Sequence, residues 1–179
     1  MRLLRRLFNA GRRAAAAFAT RQDGGPAAEF ALVAPVFIVV IYATVQCAII
    51  YICNASLETV TEQAARQVLT NQSTSLTAAQ FQTAVCSKLP TFFTCGNVMV
   101  GLQPATTATS ITTAAPAFNS DGTLKTALPY QQPTPGQIGV LQVLYQWPVI
   151  GLPLGWNFAG LGNGTYLMMS TQVFRVEPQ

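Results

Sequence analysis

Histidine is absent from the 179 residues, and charged side chains make up only 9% of them. Without imidazole there is no Ser-His-Asp or Cys-His machinery and little basis for a zinc centre. An ordinary soluble domain carries about 25% charged residues, so this chain reads as a membrane or assembly component, and disorder driven by net charge is excluded. Glycine-rich phosphate-binding patterns are missing, and no cysteines or acids are spaced for a metal. The acids beyond the apolar run, Glu58, Glu62, Asp121 and Glu177, are scattered, with no pair isolated among apolar neighbours. No catalytic residue, cofactor, metal ion or small-molecule substrate is therefore expected, and no enzymatic activity.

What charge there is gathers at one end. Arg2, Arg5, Arg6, Arg12, Arg13 and Arg21 precede the apolar run, whereas after it Arg66, Lys88, Lys125 and Arg175 balance the four acids. The net charge of +4 thus belongs to the N-terminal arm. Clustered arginines can bind nucleic acid. Beside a membrane span they more simply fix the cytoplasmic side, and no nucleic-acid partner is expected.

From Phe30 to Leu57 the chain carries no charge. The strongly apolar part, Phe30 to Cys53, is about 24 residues, or roughly 36 Å of helix, enough to cross a hydrocarbon core of about 30 Å. It exceeds the h-region of a cleaved secretory signal, so a signal anchor is expected. Pro35 lies inside it, predicting a kink or local unwinding over residues 31–35. Cys47 and Cys53, six positions apart on one helix, cannot reach each other and read as small apolar filler. Glu29 stands at the mouth of the run. Residue chemistry alone leaves two readings open: a helix N-terminal acid favoured by the macrodipole, with Pro26 in the first turn, or a carboxylate entering lipid to meet a cation.

Beyond the run, Leu57, Val60, Ala64 and Val68 recur at helical spacing, with Glu62 and Arg66 as an i, i+4 pair. This extends the anchor into an amphipathic stalk. Residues 71–75 break the pattern. Thr77 then caps a second helix, Gln80 completes a capping box, and Leu76 with Phe81 forms the hydrophobic staple; Pro90 stops the helix after about Leu89. Cys86 and Cys95 flank that helix end. In an oxidising compartment they should form a disulfide, since two cysteines without histidine make a poor metal site. Three stretches alternate as strands: residues 98–103, 138–147 and 165–176. Packed on the stalk they give an α+β fold, a small antiparallel sheet against a long N-terminal transmembrane and stalk helix. Residues 104–136, rich in Thr, Ala, Pro and Gly, read as a long surface loop with short turns such as Asp121-Gly122. Residues 148–158 hold Trp156 and Phe158 in an apolar loop with two prolines. Exposed, it would be a contact patch for a partner or the membrane surface; folded under the sheet, it would be core.

The string from Gly24 to Pro35, GGPAAEFALVAP, resembles the processing site of class III prepilin-like proteins, and most closely that of the TadE-like family of the Tad (Flp) pilus system. The resemblance is specific over residues 21–70. It implies a pilin-like minor pilin or pseudopilin, cut by a prepilin peptidase between Gly24 and Gly25, with Phe30 as the aromatic beside Glu29 and Pro35 as the proline of the family's phrase. It further implies that Glu29 is an assembly carboxylate pairing with the new α-amino group of a neighbouring subunit. The implied organisation is a cleaved basic leader (1–24), a transmembrane helix (25–53) and a periplasmic stalk and domain (54–179). Its setting would be the inner membrane, its partners the peptidase, other pilins and the assembly platform. An uncut, signal-anchored scaffold or binding protein and a pseudopilin of a type II-like secretion system remain the alternatives.

Overall fold

A computed structural model describes residues 25–70, 76–149, 151 and 158–178. The leader with Gly24, the polar break at 71–75 and Trp156 therefore lie outside the described residues. The chain divides into two compact units, one ending at Val45 and one running from Gln46 to Gln179.

Within the first unit the described chain is helix. It belongs to α1, Gly25–Leu69, which continues into the second unit without interruption. Pro35 lies inside α1, and the expected unwinding is not found. Proline withholds one donor from the ladder, and the bonds on either side suffice to keep the helical turn. Polar side chains along α1 return to their own helix. Thr44 donates to Ile41 O, Ser56 to Ile52 O and Asn54 Nδ2 to Ile50 O, so none of these depends on water.

In the second unit, α1 presents Cys53, Leu57, Val60, Ala64, Ala65 and Val68 to an apolar core, following the helical spacing of the sequence. Glu62 and Arg66 form the expected ion pair at 2.8 Å on the exposed face, worth only a few tenths of a kcal/mol there. Helix α2, Ala78–Cys86, starts as expected: Thr77 Oγ1 accepts from Gln80 N–H, and Thr77 N–H donates to Gln80 Oε1 at 2.9 Å. Phe81 is fully buried and Leu76 half-buried against the same core. The helix ends at Cys86, short of Leu89. Lys88 and Leu89 N–H bond three residues back, to Val85 and Cys86 carbonyls, so the chain tightens before Pro90 is reached. Cys86 and Cys95 are joined in a disulfide, their Cα atoms 5.6 Å apart.

The sheet has three antiparallel strands in the order β1 (Val98–Ala105), β2 (Ile138–Pro148), β3 (Thr165–Arg175). Val98 pairs with Tyr145 and Tyr145 with Met168; Leu102 pairs with Leu141. These side chains share one face and join the α1 and α2 residues in the core, giving the α+β arrangement of a long helix with a small sheet. Gly139 sits on this face opposite Phe174. A Cβ there would stand 2.7 Å from the Phe174 ring, so only glycine leaves it room.

The second face of β2 is also covered. Val140, Gln142 and Leu144 are buried, and the segment between β1 and β2, expected as a surface loop, lies across them. Leu102 N–H donates to Pro129 O at 2.8 Å and Gln131 N–H to Leu102 O at 2.7 Å, which straps the segment to the edge of β1. Gln142 Nε2 reaches Ala114 O, and Gln146 Nε2 reaches Gly122 O. The Asp121-Gly122 turn is present, with Asp121 Oδ1 accepting from the Thr123 hydroxyl and N–H; these bonds, the hydroxyl first, hold its carboxyl below the usual carboxylate range. Small residues and prolines suit a strap that runs close over a sheet without a periodic apolar face of its own.

Replacing Gly139 by alanine should cost about 1–3 kcal/mol through overpacking against Phe174. Chemical unfolding of the full chain in detergent micelles would read this. Pairing Gly139→Ala with Phe174→Leu should recover most of the loss.

Candidate membrane and assembly segment

Among the described residues, the apolar half of α1 is largely without protein cover. Phe30, Leu32, Val33, Val36, Phe37, Ile38, Val40, Ile41 and Val45 are all exposed, Leu32 at 78%. Their positions go round the helix and do not keep to one stripe. A helix apolar all round belongs either in a protein core or in lipid. Here it is not core, because only 11% of its most apolar 18-residue window is buried, while that window's mean hydropathy is 2.4. The helix is long and apolar enough to span a membrane, as a single-pass protein requires.

At its N-terminal end Gly25 opens the described helix and Glu29 lies one turn further on. Positions i and i+4 share a face, so the carboxylate and the backbone nitrogen end of Gly25 lie along the same side of α1. The first turn holds no acid. The macrodipole acts mainly on the first turn, so it does little for Glu29. Glu29 is exposed and has no ion-pair partner among the described residues. Phe30, beside it, is 73% exposed, and Pro35 is within the helix. These residues share one element; Cys86 and Cys95 lie elsewhere, at the end of α2. Phe158 is half-buried. Among the described residues, no three His, Cys, Asp or Glu side chains converge as metal ligands would.

Two features escaped the sequence reading. Gln46, inside the apolar run, is buried. Phe92, Phe93, Tyr145 and Trp147 form an aromatic cluster, with Phe93 packing edge-on to Tyr145 at 4.7 Å and Phe92 tilted against Phe93 at 4.9 Å. The signal for the cluster was present in the sequence as two phenylalanines just after Pro90, inside the disulfide loop.

A lysine at Ile41, near the middle of the run, should cost about 2.5–3.5 kcal/mol of membrane insertion. The fraction of Ile41→Lys protein resisting carbonate extraction should fall well below that of Ile41→Leu.

Comparison with curated proteins and with solved structures returns no match. A family model described as TadE-like protein does match, over residues 24–66. The match begins at the glycine before Gly25, takes in Glu29 and Pro35, and ends at the arginine of the Glu62–Arg66 pair. The likeness to the TadE-like family model is thus confined to these residues, from the mouth of the apolar run to the stalk.

Proposed function

We propose that this chain is a minor pilin or pseudopilin of Tad pilus assembly, a non-enzymatic subunit anchored in the bacterial inner membrane. The observation that carries the reading is a coincidence on one helix. The TadE-like match, the uncovered apolar surface and the lone acid at its mouth all fall on α1. The arginines of the N-terminal arm favour the cytoplasm for residues 1–24. The Cys86–Cys95 disulfide favours the periplasm for the sheet domain.

In this reading a prepilin peptidase cuts between Gly24 and Gly25. The cut exposes an α-amino cation one helical turn from Glu29. A carboxylate in the bilayer centre costs about 2.5–3.5 kcal/mol, less at the edge. A charge-assisted bond to the Gly25 amine of an adjacent subunit offsets that cost and sets the axial register between neighbours. The sheet domain then meets the other pilus components outside the membrane.

Mass spectrometry of the membrane-extracted protein should find a mature chain starting at Gly25; an intact Met1 start would instead favour an uncut anchor. Glu29→Ala should still be cut yet lose its association with other pilins, and unchanged co-purification would remove the pairing role. Under denaturing, non-reducing conditions two thiols, Cys47 and Cys53, should alkylate, and four only after reduction.

A further inference from the structure

Among the described residues, one end of the sheet domain carries an exposed aromatic ring, Phe92. At the far end, α1 and β3 finish together: Glu177 N–H, two residues beyond β3, donates to Leu69 O at 3.3 Å. The opposite end, where β1 begins and β2 finishes, is therefore the end toward the first residues of α1 within this unit, Gln46 to Cys53. There Trp147 and Phe93 belong to the same apolar cluster as Cys53 and Ile50. Ile50 lies three residues inside the run that ends at Cys53, about 4.5 Å below its outer limit. Within this unit the aromatic end of the sheet and residues Ile50 to Cys53 of α1 are thus at one level.

The chemistry at that level suits a lipid headgroup layer. Phe92 is 49% exposed at the tip of the disulfide-closed loop, although it already touches Phe93 and Trp147. Pro148 is exposed and Trp147 half-buried. On α1, Tyr51 is 76% exposed at the same level. Lys88, in the same loop, has no acidic partner among the described residues. Tryptophan and tyrosine gather where one end of a ring meets hydrocarbon and the other meets water, and lysine stems reach from apolar surface to phosphate. The loop is ordered before any contact is made, closed by Cys86–Cys95 and held by Thr94 N–H donating to Tyr145 Oη at 3.0 Å. Little freedom remains to be lost when it docks.

We propose that the Cys86–Cys95 loop, through Phe92 and Lys88, and the Trp147 end of the sheet form a foot that rests in the headgroup layer of the bilayer spanned by the domain's own helix. The partner is the lipid surface, and this rests on the membrane-anchor reading above. The foot would fix the domain's height and tilt against the membrane before assembly.

The test uses the full chain in vesicles of phosphatidylcholine and phosphatidylglycerol, with lipids brominated either near the headgroup or deep in the acyl chain. Trp156→Phe leaves Trp147 as the sole tryptophan. Its fluorescence should be quenched more by shallow than by deep bromines. Adding Phe92→Asp, a change at an exposed site, should roughly halve that quenching. A second reporter, Phe37→Trp with both native tryptophans replaced by phenylalanine, should be quenched by the deep bromines. If that reporter responds while Trp147 does not distinguish brominated from ordinary lipid, the foot is overturned and the anchor stands. Unchanged Trp147 quenching in the Phe92→Asp protein likewise overturns the role of the loop. If the Phe37→Trp reporter also fails to respond, the anchor itself is wrong and the foot with it.

Discussion

The apolar circumference of α1 between Phe30 and Val45 is the constraint on which the rest depends. Nine large side chains on that stretch are open to the surroundings. Each large aliphatic or aromatic residue left in water forgoes about 1.5–3 kcal/mol of burial, a loss that a domain stable by about 5–15 kcal/mol could not bear in solution. Lipid removes the penalty, and it also selects a helix, since a helix satisfies its own backbone groups without water. Glu29 then becomes the exception to be explained, because the medium that suits its neighbours is hostile to a carboxylate.

Outside the apolar run the same helix changes its task. Between Cys53 and Val68 it offers one apolar stripe, and the first face of the sheet closes over it. A three-stranded sheet with one covered face would leave Val140 and Leu144 to solvent. The strap between β1 and β2 supplies the second cover, tied at Leu102, Gln142 and Gln146 by hydrogen bonds. A small domain of this kind therefore buries its central strand on both sides with a single helix layer and no second sheet.

Much of this was legible in the chain. The span declares itself by length and lack of charge, the stalk by its spacing of three and four, and the start of α2 by the Thr77–Gln80 box, a local signal that tertiary packing did not override. The strands and the disulfide also follow from alternation and compartment. The end of α2 was less legible: Pro90 marks a stop, but the chain already tightens after Cys86, and none of Ser87, Lys88 and Leu89 is a helix breaker. The strap was hidden by its own composition, since alanine, threonine and proline carry no period. Yet the near-continuous apolar run from Val140 to Tyr145 was a sign that β2 is covered on both faces. Of the candidate site, the Glu29 spacing could be read directly. Of the aromatic cluster, only the Phe92–Phe93 pair stands in the sequence; Tyr145 and Trp147 are far away in the chain and join it only through the fold.

Cys86 and Cys95 are nine positions apart, whereas β1 must wait for β2, whose Ile138 pairs back to Ala105. Closing a short loop is entropically easier than closing a long one. In a chain made from its N-terminal end, the two thiols can therefore find each other before β2 and β3, which complete the sheet, have been synthesised. Cys53, on α1, is far from both in the chain and ends up buried in the folded core. A disulfide closed at that stage would tether β1 to α2 before the strands that pair with it are available.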